Sequence, residues 1–127
     1  MGRWLAVAGL SGLIAVAVGA FGTHILAGRV GPTALSWIAT GTGYQMMHTL
    51  ALLAVALLSR ERFGQAWTLD IAGWGFAGGI VLFCGSLYVM ALTGPSPVAW
   101  VTPLGGVAFM VGWAALARHG FMLWRER

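Results

Sequence analysis

The chain has 127 residues, of which 59 % are hydrophobic and 8 % are charged, and its mean hydropathy is +0.85. A water-soluble domain of this composition would lack the polar surface needed to cover its core, so the sequence predicts an integral membrane protein. The length suits about four helices of roughly 20 residues, each able to cross about 30 Å of hydrocarbon. The net charge of +4 comes from arginines scattered beside apolar runs, which indicates membrane orientation rather than nucleic-acid binding.

Four apolar segments predict an all-α, four-helix membrane bundle as a single domain over residues 1–127. The predicted spans are 4–22, 41–59, 70–92 and 103–117, and an outer connector covers 23–40. A glycine cap at Gly94 followed by Pro95 would end the third helix. Thr102 would cap the fourth helix, with Pro103 as its first residue; alternatively, this helix begins at Pro97 and kinks at Pro103.

Two segments near the N-terminus allow alternative interpretations. Arg3 precedes the first span as it would in a signal peptide, but the apolar core is longer than the roughly 7–15 residues of such a signal, so we expect the span to be retained. In the connector, Pro32 is typical of a first helical turn and predicts a helix along the outer interface. This helix is expected to feed into the second span; alternatively, Gly41 and Gly43 break the two apart. A lid and a simple connector would share this pattern.

The arginines predict the orientation of the bundle. Six fall on one side of a four-span arrangement: Arg3, Arg60, Arg62, Arg118, Arg125 and Arg127. Arg29 falls on the other side. By the positive-inside rule, both termini are expected in the cytoplasm. The absence of lysine and the abundance of Ala, Gly and Arg are typical of a GC-rich bacterial genome, so we expect a multi-pass protein of the bacterial inner membrane.

Small residues recur inside the predicted spans. They are Ala8, Gly12, Ala15 and Gly19 on the first helix, and Gly75, Gly79 and Ser86 on the third. Such stripes let helix backbones approach closely, either within a bundle or between two copies of it. The expected partners are therefore membrane lipids and, through these helix faces, a second copy of the chain.

Polar residues that are unusual for a membrane interior form the candidate site. They are His24, Tyr44, His48, Ser86, Tyr88 and Thr102, with Cys84 nearby in the third span. Since alternate spans run in opposite directions, all of them are predicted to lie in the outer half of the membrane. Tyr44 and His48 are four residues apart and share a helix face. Because burying such groups in lipid is costly, they predict either an interhelical hydrogen-bond network or a ligand site.

The spacing of these residues indicates no particular reaction. Metal or haem ligation by His24 and His48 would need further ligands, and none with familiar spacing is visible. Ser86 and His48 lack the nucleophile elbow of a hydrolase. The acidic residues all lie on the predicted cytoplasmic side, which excludes paired-acid catalysis or an acidic proton relay inside the bilayer. We therefore expect no enzyme, no cofactor and no metal.

Motifs along nearly the whole chain resemble the domain of unknown function 423, the family that includes transmembrane protein 256. They are Gly19-Ala20-Phe21-Gly22-Thr23-His24, Tyr44-Gln45-Met46-Met47-His48, Phe83-Cys84-Gly85-Ser86-Leu87-Tyr88 with Thr93-Gly94, and Thr102-Pro103-Leu104-Gly105-Gly106 with Gly112-Trp113. The resemblance implies a small multi-span membrane protein and no established activity. Thr23 stands where alanine is usual in the family, and Cys84 stands where serine is usual.

Three functional hypotheses follow. The leading one is a structural or accessory membrane protein whose polar cluster ties the helices together. The rival is a binding site for a lipid, quinone, haem or other small molecule; if the fourth helix began at Thr102, free N–H groups near Gly105 and Gly106 would suit a carbonyl or an anionic headgroup. A small transporter or channel is the third, and the missing acidic coupling residue argues against it.

Overall fold

The computed structural model describes residues 2–60 and 66–126, and nearly all of them are helical. The helices are α1 (Gly2–Phe21), α2 (Pro32–Leu58), α3 (Ala66–Gly79), α4 (Gly85–Thr93) and α5 (Val101–Arg125). A π-helical turn at Gly22–Leu26 extends α1, a second one at Ile80–Cys84 joins α3 to α4, and a 3-10 turn at Pro97–Trp100 leads into α5. Four continuous helices are long and apolar enough to cross a membrane: Gly2–Leu26, Pro32–Leu58, Ala66–Thr93 and Pro97–Arg125. The predicted all-α, four-span architecture is confirmed.

The two ends of the bundle differ. The termini lie at one end, which we call the terminal end, and the connections at 27–31 and 94–96 lie at the other, the distal end. Both distal connections turn at a glycine in the left-handed region, with φ +82° at Gly28 and +83° at Gly94. The N–H of Gly94 donates to the carbonyl oxygen of Met90 at 2.8 Å, which ends α4 as the sequence predicts.

The helix that begins at Pro32 continues into the second span, and the alternative of a break at Gly41 and Gly43 is wrong. α2 runs without interruption from Pro32, so the connection between the first two spans is limited to 27–31 instead of 23–40. Gly41 serves close packing, because a Cβ there would lie 2.5 Å from Cε1 of Tyr88. Glycine lowers helix propensity by only about 1 kcal/mol, and this contact with α4 outweighs that preference.

The predicted start of the fourth helix at Thr102 is also wrong, and the alternative start at Pro97 is correct. A 3-10 turn begins at Pro97 and passes directly into α5, so Thr102 lies inside the helix and caps nothing. The predicted free N–H groups at Gly105 and Gly106 are therefore inside the helix as well. Gly105 is instead a packing residue, because a Cβ there would overlap the backbone of Phe83.

Glycines bring α3 and α5 into backbone contact. A Cβ on Gly75 would lie 2.7 Å from both Cα and N of Gly112 and 2.9 Å from the carbonyl oxygen of Ala108. On α1, Ala8 and Ala15 are buried, and a Cβ on Gly12 would meet Thr49 of α2 at 3.5 Å. These small-residue faces pack within one chain, and a homo-oligomer through them stays a prediction.

The outside of the bundle is apolar, as a surface in lipid must be. Exposed large side chains include Leu10, Leu13, Val16, Leu50, Leu57, Val81, Leu92 and Met110. At the terminal end, Arg3 forms an ion pair with Asp70, and the indole N–H of Trp4 donates to the same carboxylate at 3.4 Å. Asp70 thus joins α1 to α3.

Candidate functional site

A buried hydrogen-bond network, the core network, joins α1, α2 and α4 through Ser11, Gln45, Thr49 and Tyr88. Nε2 of Gln45 donates to the carbonyl oxygen of Ser11 at 3.1 Å and to its hydroxyl at 3.3 Å. The Ser11 and Thr49 hydroxyl oxygens are 2.7 Å apart. The Tyr88 hydroxyl donates to Oε1 of Gln45 at 2.7 Å. Gln45 is only 3 % exposed, so its side chain makes its hydrogen bonds within the protein.

His48 lies beside this network, and both of its ring nitrogens are used. The indole N–H of Trp113 donates to Nε2 at 3.1 Å, so Nε2 must be unprotonated. Nδ1 therefore carries the proton and donates to the carbonyl oxygen of Tyr44 at 2.7 Å. The imidazole is 3 % exposed and stacks on Phe109, with ring centroids 3.6 Å apart and planes 11° apart. This arrangement fixes one tautomer and leaves no lone pair for a metal ion.

Tyr44 contacts His48 through its backbone rather than through its hydroxyl. Its ring packs against Phe83, with centroids 4.5 Å apart, and its side chain is 42 % exposed. Within the described residues, no group of the chain hydrogen-bonds the Tyr44 hydroxyl. A groove of about 500 Å³, the aromatic groove, opens beside it. The groove is lined by Tyr44, Met47, His48, Phe83, Pro103, Gly106, Phe109, Met110 and Trp113.

Ser86 and Thr102 form a separate polar contact between α4 and α5. Their hydroxyl oxygens are 2.6 Å apart, and the Ser86 hydroxyl donates to the carbonyl oxygen of Phe83 at 2.9 Å. Because the single Ser86 proton is used for Phe83, the Thr102 hydroxyl donates to Ser86. His24 lies exposed in the turn Gly22–Leu26 and is not brought together with His48. The predicted cluster is thus divided into four parts: Tyr88 in the core network, Tyr44 with His48 at the groove, Ser86 with Thr102, and His24 alone.

Tyr44 and His48 are central in their helix. Because α2 begins at Pro32, both residues lie near the middle of it, and their place in the outer half of the membrane stays a prediction. Trp113 likewise lies near the middle of the span Pro97–Arg125. His48 and Trp113, which line the aromatic groove, therefore lie near the middle of the two spans that carry them.

A second buried histidine was missed in the sequence. His119 is 2 % exposed, and its Nδ1 is 2.8 Å from the hydroxyl oxygen of Thr68 near the terminal end. Helical periodicity could have identified this histidine, because the buried residues of α5 recur three or four positions apart. They are Gly105, Phe109, Gly112, Ala115 and His119. Extending that stripe by one turn places the imidazole on the core face.

Ligands for a metal ion are not grouped in the described chain. Residues 2–60 and 66–126 contain no cluster of three or more His, Cys, Asp or Glu side chains that could hold one. Cys84, the cysteine of the third span, is buried as a free thiol. What the arrangement supplies is therefore interhelical hydrogen bonding and an aromatic-walled groove.

Comparison with known proteins identifies relatives along most of the chain. The model of a family described as a protein of unknown function, DUF423, matches residues 18–106. The chain is 44 % identical over 119 residues to a UPF0382 membrane protein of Haemophilus influenzae, covering 94 % of each chain. It is 44 % identical over 122 residues to the UPF0382 inner membrane protein YgdD of Escherichia coli K12, covering 96 % of this chain and 92 % of that one. For the Bacillus subtilis membrane protein YwdK, the identity is 42 % over 104 residues, covering 82 % and 84 %. No solved structure matches.

Proposed function

This chain belongs to the DUF423 family, whose relatives are named UPF0382 membrane proteins, and we propose that it is a structural or accessory component of the bacterial inner membrane. The relative named YgdD is an inner membrane protein, and the four apolar helices of this chain suit the same multi-pass location. The family description carries no activity, so the proposal rests on the geometry of the polar residues.

The observation that carries the proposal is that the buried side chains of the core network and of His48 have their hydrogen bonds satisfied within the protein. Gln45 reaches α1 and α4 at once, and His48 uses one nitrogen on α2 and the other on α5. In lipid, no water replaces a lost hydrogen bond, so a saturated network holds the helices in one arrangement. A saturated network also leaves no group ready to activate a substrate. We therefore assign these residues an architectural role and no catalytic step.

His48→Ala is expected to lower the free energy of unfolding by about 2–3 kcal/mol, because it leaves the Trp113 indole unpaired and removes a ring stacked on Phe109. Thermal unfolding in a mild detergent measures the loss. His24→Ala is the matched control, since His24 is exposed, and should change stability by less than about 0.5 kcal/mol. Equal effects of the two variants, or a bound species released by His48→Ala at unchanged stability, would contradict the architectural role.

The orientation of the bundle is part of the proposal. Arginines at the terminal end of the described chain are Arg3, Arg60, Arg118 and Arg125, whereas Arg29 lies at the distal end. This imbalance supports cytoplasmic termini. A green fluorescent protein fused after the C-terminus should be fluorescent, and alkaline phosphatase at that site should be inactive. Alkaline phosphatase inserted at the distal connection 27–31 should be active. A non-fluorescent C-terminal fusion together with active phosphatase at the C-terminus would contradict the proposed topology.

The rival hypothesis of a ligand site has less support at His24 and His48 than at the aromatic groove. Haem or metal ligation by His24 and His48 would require breaking the hydrogen bonds of His48 and bringing the distal turn to the middle of α2. The members of the core network hydrogen-bond directly to one another. The aromatic groove opens outward beside Tyr44 and His48.

A further inference from the structure

The aromatic groove has the dimensions of a ligand site. Its volume of about 500 Å³ lies within the roughly 300–1,000 Å³ of small-molecule pockets. Three helical segments form its walls, with Tyr44 from α2, Phe83 from the π-helical turn and Trp113 from α5. Its floor is open at Gly106, where an added Cβ would meet no atom within 4 Å. A flat ring therefore has both walls to stack on and a place to enter.

The Tyr44 hydroxyl is the polar group that this groove offers. It lies near the middle of α2 and has no hydrogen-bond partner within the described residues. Nε2 of His48 cannot accept its proton, because that nitrogen already accepts from Trp113. A phenol left unpaired in hydrocarbon is costly, so an acceptor from outside the chain would stabilise it. The packing of the Tyr44 ring on Phe83 holds the hydroxyl in place for such an acceptor.

The depth of Tyr44 restricts what that acceptor can be. Phospholipid ester carbonyls lie at the membrane interface, about 15 Å from the bilayer centre, whereas Tyr44 is near the middle of its helix. A quinone carries carbonyl oxygens on a flat, electron-poor ring, and its hydrocarbon tail keeps the ring within the membrane. The electron-rich faces of Tyr44 and Trp113 complement such a ring. The flexible thioethers of Met47 and Met110 adapt to its edge.

We propose that the aromatic groove binds the ring of a membrane quinone, with the Tyr44 hydroxyl donating to a quinone carbonyl. The inference goes beyond the architectural role, and concerns binding alone. No member of the core network lines the groove, so the network does not depend on an occupied groove.

Photo-crosslinking tests the inference. The protein in phosphatidylcholine nanodiscs is irradiated with an azidoquinone that carries a decyl tail, and the labelled peptides are mapped by mass spectrometry. We expect labels on the peptides that contain Tyr44 and Met110, and competition by decylubiquinone but not by decanol. Gly106→Leu fills the floor of the groove and should reduce labelling to background. Tyr44→Phe keeps the ring packing and should weaken competition by decylubiquinone about 2- to 10-fold.

Gly78→Leu is the matched control, because Gly78 is equally open but lies on α3 away from the groove. It should label as the unaltered protein does. Unchanged labelling of Gly106→Leu, unchanged competition by decylubiquinone in Tyr44→Phe, labels elsewhere, or equal competition by decanol would overturn the inference. Should Gly106→Leu not fold, Tyr44→Phe decides the outcome alone. Absent labelling in a protein whose stability still depends on His48 would overturn quinone binding and leave the architectural role intact.

Discussion

Gly75→Ala is expected to force α3 away from α5 and to lower the free energy of unfolding by about 3 kcal/mol. The added Cβ would lie 2.7 Å from Cα and N of Gly112 and 2.9 Å from the carbonyl oxygen of Ala108. These are backbone atoms of the facing helix, so no side-chain rotation can relieve the overlap. The helices must separate, and the contacts on either side of Gly75 are then lost as well.

Gly78→Ala is the control on the same helix. A Cβ on Gly78 would meet nothing within 4 Å, and alanine favours helix over glycine. Its effect on stability should therefore lie within about 0.5 kcal/mol of zero or be slightly favourable. Unfolding by SDS in mixed micelles measures both variants. Similar losses at positions 75 and 78 would mean that α3 and α5 do not cross at Gly75.

Gln45→Leu and Tyr88→Phe are each expected to lower the free energy of unfolding by about 1–3 kcal/mol. The first leaves the Tyr88 hydroxyl without its acceptor and Ser11 without its donor, and the second leaves Oε1 of Gln45 unpaired. When both are changed together, no unpaired partner remains from their shared bond. The double variant should therefore lose less stability than the sum of the two, by about 1 kcal/mol.

A double-mutant cycle in detergent measures this coupling. Tyr44→Phe serves as the control for loss of a tyrosine hydroxyl, because that hydroxyl has no partner within the described chain. In micelles without quinone, it should not lower stability, because it removes a hydroxyl that has no partner there. Strictly additive effects of Gln45→Leu and Tyr88→Phe would mean that the two side chains do not interact.

The architecture could be predicted because hydropathy and length are properties of each segment alone. The four spans followed from apolar runs, and the structure extends them at their ends. The start of α2 could not be predicted in the same way. Gly41 resembles a helix break when only propensity is considered, whereas its purpose is contact with Tyr88, a residue on another span. Local sequence does not report which helix supplies such a neighbour.

The candidate site was predicted less well, for the same reason. Tyr44 and His48 were recognised from their spacing on one helix, but Trp113, which completes the bonding of His48, lies on a different one. Gln45 was passed over between them, although it makes the contacts that join three helices. The π-helical turn Ile80–Cys84 adds a residue to the third span, which rotates the following side chains relative to a regular helix. No periodicity in the sequence indicates that rotation.

The interhelical hydrogen bonds can form only in a fixed order when the spans enter the membrane one after another. Ser11, Gln45 and Thr49 can pair as soon as the first two spans are in the bilayer. Tyr88 joins them when α4 arrives. The indole of Trp113 reaches His48 only with the last span, as Thr102 reaches Ser86. A nascent chain halted before Val101 therefore carries an imidazole without its donor into lipid, and α5 is the segment whose arrival completes biogenesis.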